Sequence, residues 1–307
     1  MPDTPLFDLI IPTYNNADEL IACLDSLRDQ SLSNFKVIVC IDGSTDHTRE
    51  RLKQVTFPFE LVVADQPDGK NHGRNAARNL ALPYLTAPYL CFLDSDLLAS
   101  THFLRHHYEL LQKYSCISVG YIEYSDHKNN LWAQYLETRG RGKYSHESVI
   151  PFNYMVTGNC AMPAKWFVDA GGQDPAMRRY GGGDTELAFR LWKLMRPEVR
   201  ANHKAVAYAG SEKTLDQALV DMSRFGRENL PYLVQKHPES RFLYYFEHVT
   251  APELKGMLLR MILWPKALRL RKWISRLPEP LKLAMINYLV LVAVYSGYYK
   301  RFPEDQF

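Results

Sequence analysis

The stretch Phe35-Lys36-Val37-Ile38-Val39-Cys40-Ile41-Asp42-Gly43-Ser44 decides how the chain is read. Val37 to Ile41 is an apolar, mostly β-branched run without polar alternation, the pattern of a parallel strand covered by helices on both faces. It runs directly into an acidic turn that contains glycine. Working outward, Phe7 to Ile11 and Leu61 to Ala64 are similar runs, separated from it by the polar amphipathic stretches Ala17 to Gln30 and Thr45 to Gln54. That order reads β-α-β-α-β, an α/β doubly wound sheet. Asn71 to Leu82 continues with helical spacing up to Pro83, and Tyr89-Leu90-Cys91-Phe92-Leu93 is a further buried strand that runs into Asp94-Ser95-Asp96. Ligands of open α/β sheets bind beyond the carboxyl ends of the strands, so Pro12 to Asn15, Asp42 to Asp46 and Asp94 to Asp96 are expected to meet in one crevice.

The 307 residues are 46% hydrophobic and 23% charged, an ordinary globular composition that excludes disorder, collagen and coiled coil. A net charge of +3 is too small to attract nucleic acid through bulk electrostatics, so no nucleic-acid partner is expected. The five cysteines are odd in number and lack C-x-x-C spacing, which suggests neither a zinc site nor a disulfide framework and fits a reducing compartment. Met1 to Asp8 carries Pro and Asp where a signal peptide has a basic region and an apolar run, so a cytoplasmic location is expected.

Four constellations could carry chemistry, and each has a bland alternative. Asp94 and Asp96 at a strand end are hard oxygen ligands suited to Mg²⁺ or Mn²⁺, or else an acidic turn that caps the helix starting near Thr101. Asp42 to Asp46 also follows a strand, and two acidic strand ends in one crevice repel unless a cation or a donor-rich ligand sits between them. Arg74 and Arg78, one turn apart in Gly73-Arg74-Asn75-Ala76-Ala77-Arg78-Asn79, pair with phosphate or with those carboxylates, or form a solvated helix face. In Tyr180-Gly181-Gly182-Gly183-Asp184, three glycines set a carboxylate in the first turn of a helix, either as a general base or as a helix cap.

Taken together, Ile10-Ile11-Pro12-Thr13-Tyr14-Asn15, the Asp42 to Asp46 run, Gly73 to Asn79, Phe92-Leu93-Asp94-Ser95-Asp96, Thr157-Gly158-Asn159, Gly171-Gly172-Gln173-Asp174 and Gly183 to Leu191 resemble, in order and spacing, the family 2 glycosyltransferases with a GT-A fold. They cover roughly Leu6 to Arg196. The resemblance implies a mixed, mainly parallel sheet flanked by helices, and an inverting transferase that uses a nucleotide-diphosphate sugar, with UDP the favoured nucleotide. It implies a donor site of Pro12, Thr13, Tyr14, Asn15, Asp42, Arg74, Arg78, Asp94 and Ser95. Asp96 would bind Mn²⁺ or Mg²⁺, Asp184 would deprotonate the acceptor hydroxyl, and Asn159, Gly182 and Gly183 would border the acceptor. One base is enough for inversion because the diphosphate leaves without needing a proton, unlike the alkoxide of a glycosidase.

Two departures stand out. Gly183 occupies the position where the family usually has Glu, and no histidine follows the late strand near Val206 to Gly210, where many relatives have one to complete the cation's coordination. His203 lies upstream and is not taken as a ligand. A catalytic domain over 1–220 and a helical extension over 221–307 are expected. Ser125 to Pro151, with Arg139-Gly140-Arg141-Gly142-Lys143, reads as a mobile loop, and the periodicity beyond Pro197 as largely helical. In the extension, Lys266, Arg269, Arg271, Lys272 and Arg276 alternate with Leu268, Leu270, Trp273 and Ile274, which suits either a membrane interface or a packed helical pair. Leu283 to Tyr299 has no charge but is short for a span, so an interfacial or buried helix is preferred. The resulting expectation is a cytoplasmic enzyme in peripheral contact with the inner face of the membrane, acting on a glycan or lipid-linked acceptor. The competing readings are a catalytically silent nucleotide-sugar or glycan binding module and, less well matched for want of a glycine-rich loop after the first strand, a sugar-nucleotide pyrophosphorylase.

Overall fold

The computed structural model describes residues 4–138, 143–210 and 213–302. They divide into two units. The first holds the described residues up to Asn129, Leu136–Arg178 and the described residues from Gly183 to 210; the second holds Asn130–Tyr135, Arg179–Gly182 and the described residues from Lys213 onward. In the second unit the helix beginning at Leu215 runs unbroken to Lys236.

In the first unit, strands β1 (Phe7–Thr13), β2 (Phe35–Ile41), β3 (Glu60–Asp65) and β4 (Tyr89–Leu93) lie parallel in the order β3-β2-β1-β4. Helices α1 (Ala17–Ser26), α2 (Thr48–Gln54) and α3 (Arg74–Asn79) fall between them in sequence. Beyond β4 the sheet becomes mixed: β5 (Leu97–Ala99), β6 (Cys116–Tyr124), β7 (Val149–Ile150), β8 (Asn159–Pro163) and β9 (Glu198–Ala209) complete the order β4-β8-β6-β9-β5, with β7 also on β9. The lack of alternation in β2 has a direct explanation. Val37, Val39 and Ile41 enter one apolar core with Leu20, Leu24 and Phe103, while Ile38 and Cys40 enter another with Phe92, Phe167 and Leu187.

Topology fixes where the polar turns lie. Because β1, β2 and β4 are parallel, their carboxyl ends share one edge, and β8 runs antiparallel to β4 with Leu93 opposite Asn159. Thr157-Gly158, just before β8, is thereby set beside Asp94.

Three expectations are corrected. Residues 198–209, where the periodicity reads as largely helical up to the late strand near Val206, form one continuous strand; Val199, Ala201, Ala205, Ala207 and Ala209 are its buried apolar positions, and alanine carries almost no strand signal. The helix expected to run to Leu82 ends at Asn79, and Pro83 sits within a short 3₁₀ segment, Leu82–Tyr84. Between Ser125 and Pro151 there is a helix, α5 (Leu131–Glu137), started by the Asn130 side chain, which accepts from the backbone N–H groups of Trp132 and Ala133 at 2.9 and 3.2 Å. Positions 139–142 of that expected loop lie outside the described residues.

A buried network joins helix α4 (Phe103–Lys113) to the sheet. His107 Nε2 donates to Asn159 Oδ1 at 3.0 Å, and its Nδ1 accepts from the Ser118 hydroxyl at 2.8 Å, the arrangement of a neutral imidazole. Burial pushes the His107 pKa down to about 4. Unfolding restores a value near 6.5, so protons bind the unfolded chain first and stability falls as pH drops through that interval, by roughly 3 kcal/mol at its end.

In the second unit, α8 (Leu215–Lys236) starts with a Thr214/Gln217 capping box and packs against α11 (Glu279–Tyr298). A side chain at Gly226 would strike the Val294 carbonyl, and one at Gly297 would strike the Ser223 carbonyl, so both glycines are required for the helices to approach this closely. α11 is long and apolar enough to cross a membrane by length and composition. Here Leu289, Val290, Val292, Ala293 and Tyr295 are buried, and the helix is a core element of its unit. The segment also contains α9 (Phe246–Thr250), α10 (Leu254–Ile262) and a 3₁₀ segment, Pro265–Arg276.

Two measurements test these contacts. Gly297→Ala should lower stability by on the order of 2 kcal/mol in urea unfolding. The pH dependence of that unfolding between pH 6.5 and 4 should flatten in His107→Gln.

Candidate functional site

The turn after β1 is built from its own polar side chains. Asn15 adopts a left-handed conformation (φ 50°), its N–H donates to Ser44 Oγ at 3.1 Å, and its Oδ1 accepts from the Thr45 N–H at 2.7 Å. Thr13 donates to Asn16 Oδ1, and Asn16 Nδ2 donates to Ser95 Oγ at 2.8 Å. The ends of β1, β2 and β4 are thus tied together through side chains. Pro12 and Thr13 are buried, while Tyr14 is exposed and presents its ring to solvent.

Asp42 is only 3% exposed. Its carboxylate accepts from the backbone N–H groups of His72 and Gly73 at 2.9 and 2.8 Å and from Gln66 Nε2 at 3.2 Å, holding the loop before α3 onto the end of β2. Gly43 (φ +70°) lies so close to the Lys70 backbone that any side chain would collide with it. In this arrangement Asp42 organises the crevice wall, and little of it faces the space a ligand would fill.

The two arginines of α3 separate. Arg74 is exposed at the first helical position, whereas Arg78 is buried at 3% exposure and its Nη2 donates to Asp94 Oδ1 at 2.6 Å. From this ion pair a line of hydrogen bonds runs through the protein. Arg78 Nη1 donates to Gln173 Oε1 at 3.4 Å, Gln173 Nε2 donates to Thr157 Oγ1 at 3.3 Å, and Thr157 Oγ1 donates to Asp184 Oδ1 at 2.5 Å. Gln173 is itself fixed by Asn79, whose side chain clamps its backbone N–H and C=O, each at 2.7 Å. Asp94 and Asp184, ninety residues apart in sequence, are therefore fixed relative to each other by named groups. Gly158 completes the approach, because a Cβ there would lie 3.0 Å from Asp94 Oδ2.

Asp96 is exposed at the end of the same turn. Burial foremost, and then the charges of Asp96 and Asp94, push the Cys23 thiol up, so both carboxylates act on one point. Among the described residues no group of three or more His, Cys, Asp and Glu side chains converges. Asp94 and Asp96 are a two-carboxylate set of hard oxygens, which suits a cation that takes its other ligands from water and phosphate. His203 falls in the irregular stretch of β9 between Asn202, opposite Gly120, and Val206, opposite Tyr121, ahead of Ala209, the residue paired with Leu97 beside this turn.

Asp184 sits in the first turn of α7 (Gly183–Met195), where the helix N-terminus favours a carboxylate. Glu186, fully buried, pairs with Arg190 at 2.6 Å, and Arg190 also donates to the carbonyls of Ala170 and Gly172, anchoring the helix to the turn that carries Gln173. The glycine at 183 is explained locally: a Cβ would lie 2.6 Å from Asn75 Oδ1, whose amide instead donates to the Asp174 carbonyl at 2.9 Å. Gly182 belongs to the second unit, in a segment whose Arg179 and Gly181 carbonyls accept from Asn229 Nδ2. The Asn159 side chain is fully buried and bonded to His107, to the Tyr121 carbonyl and to the Ala205 carbonyl, within the sheet.

Sequence reasoning gave no individual role to Thr157, Gln173, Asn16, Asn75 or Asn79. Each is a polar side chain next to a residue of a motif already singled out, and that adjacency is the only signal the sequence offers.

The family model of glycosyl transferase family 2 matches residues 8–169. A chondroitin synthase from Escherichia coli is 24% identical over 219 residues, 60% of this chain and 32% of that protein. A teichoic acid poly(glycerol phosphate) polymerase from Staphylococcus epidermidis is 36% identical over 88 residues, 28% of this chain. The chain spans only 12% of the length of the second relative and about a third of the first. Among solved structures, S. aureus TarS 1-349 in complex with UDP is 18% identical with a TM-score of 0.57, covering 98% of this chain and 91% of that one. The mannosyltransferase PcManGT from Pyrobaculum calidifontis, in complex with GDP-Man and Mn²⁺, is 15% identical with a TM-score of 0.63, covering 98% and 89%. At these identities the structural likeness establishes the GT-A type of fold. With the family match covering more than half of its length, the chain belongs to glycosyl transferase family 2.

Proposed function

We propose that the first unit transfers a sugar, with inversion, from a nucleotide-diphosphate donor, UDP-sugar favoured, to a hydroxyl of a glycan or lipid-linked acceptor. The observation that carries the reading is the hydrogen-bonded line Asp94-Arg78-Gln173-Thr157-Asp184, which fixes a carboxylate at the end of β4 against a second one at the start of α7. Neighbours of the same fold bind UDP, UDP-GlcNAc and GDP-Man, which supports a nucleotide-sugar donor.

The acceptor oxygen attacks the anomeric carbon while the bond from that carbon to the diphosphate oxygen breaks, its electron pair leaving on the diphosphate. The acceptor proton passes to Asp184. Thr157, by donating to Asp184 Oδ1, holds the carboxylate in one orientation and directs the remaining oxygen to the incoming hydroxyl. Arg78 holds the Asp94 carboxylate in place through its Nη2, with the exposed Asp96 beside it. Mn²⁺ or Mg²⁺ bound at Asp96, with Asp94 adjacent, would supply charge stabilisation to the departing diphosphate. Tyr14 offers the exposed aromatic face at the β1 turn for a nucleobase. The proposed setting is the cytoplasm, in peripheral contact with the inner face of the cell membrane.

Three outcomes test the reading. Asp184→Asn should lower kcat about 10³-fold or more while donor binding, measured by thermal shift with Mn²⁺, is retained. Retained binding without transfer or donor hydrolysis in the unaltered protein would favour a silent binding module. Asp96→Ala should abolish the Mn²⁺-dependent part of the donor-induced shift. Gln173→Leu and Thr157→Val should each lower kcat about 10- to 100-fold with KM for the donor little changed, the signature of a misplaced base; a change confined to melting temperature would reduce them to structural residues.

A further inference from the structure

Helix α10 has its apolar face outward. Leu254, Met257, Leu258, Met261 and Ile262 recur at the spacing that in a globular protein marks the buried stripe, yet each is between 48 and 66% exposed. The inward side is held by other means. Gly256 is buried, and a Cβ there would strike the Ala251 carbonyl; Arg260 Nη1 donates to the Val249 and Ala251 carbonyls, each at 2.8 Å; Leu263 closes the turn. The following 3₁₀ segment continues the pattern, with Leu268 and Ile274 buried while Trp264, Leu270 and Trp273 are exposed.

Charge identifies what this surface meets. From Leu254 to Pro278 there are seven Lys and Arg residues and no carboxylate, in a chain whose total is +3. Lys255, Lys266, Arg269, Lys272 and Arg276 are exposed among the apolar side chains, and the Arg276 guanidinium lies 4.4 Å from the Trp273 ring. Trp264 also lines a cleft with Arg260 and Arg301. Pairing with a second copy across a two-fold axis would set these cations against themselves. A bilayer containing anionic phospholipid satisfies both demands, taking the Leu, Met and Trp side chains at its acyl boundary and the Lys and Arg heads among its phosphates.

We infer that α10 and the 3₁₀ segment after it form an interfacial membrane-docking surface specific for anionic phospholipid. This surface is independent of the transferase chemistry, so its failure and that of the enzymatic reading are separable.

The test is flotation of the full chain with vesicles of phosphatidylcholine alone and of phosphatidylcholine with about a third phosphatidylglycerol. Expected is binding to the anionic vesicles only, weakened about tenfold or more when salt rises from ~0.1 to ~1 M. Lys266→Gln with Lys272→Gln should weaken it by about tenfold or more, and Met257→Glu with Met261→Glu should abolish it with nucleotide-sugar binding unchanged. In the unaltered chain, brominated anionic lipid should quench tryptophan fluorescence, and Trp264→Phe with Trp273→Phe should lose most of that quenching. No flotation with anionic vesicles, equal flotation by the Glu variant, or a concentration-dependent dimer that the same substitutions disrupt would overturn the inference.

Discussion

The buried pair of Arg78 and Asp94 is the constraint on which the first unit's site depends. A guanidinium at 3% exposure is costly unless paired, and its partner here is the first carboxylate of the Asp94-Ser95-Asp96 turn. The pairing sets the turn's orientation from below. Because the fork of an arginine has more than one arm, it also reaches Gln173, and through Gln173 and Thr157 the position of Asp184 follows. A lysine at 78 would carry the charge but could not span both partners.

Much of this was legible in the chain itself. The nonalternating strands, the acidic strand ends and the glycine-rich approach to Asp184 follow from residue types at fixed spacing, and the carboxyl-edge rule brings the turns after β1, β2 and β4 together. What the sequence could not convey was which polar side chains face inward. Arg74 and Arg78 are indistinguishable as letters one turn apart, and only the packing of α3 buries one and exposes the other. Asn159 read as bordering the acceptor because Thr157-Gly158-Asn159 resembles the family's strand there, and in the structure its side chain is buried with its oxygen accepting from His107. The first half of β9 was obscured because its small buried alanine packs closely without the β-branched signature, and only the end near Val206 read as a strand, through the resemblance.

The second unit obeys a different economy of contacts. Its core is the backbone-close crossing of α8 and α11 at Gly226 and Gly297, so the longest uncharged helix lies against a partner helix. With that helix occupied, the outward apolar side chains belong to a shorter helix that composition alone ranks lower. Hydrophobicity summed along a chain therefore points to α11, whereas exposure points to α10.

The contact of Gly183 with Asn75 makes the side chains tolerated at two distant positions depend on each other. A glutamate reinstated at 183 would need the space now filled by the Asn75 amide, and a smaller residue at 75 would release the Asp174 carbonyl it secures. A side chain at 183 therefore fits only where the Asn75 amide gives way, and the Asp174 carbonyl then loses its donor.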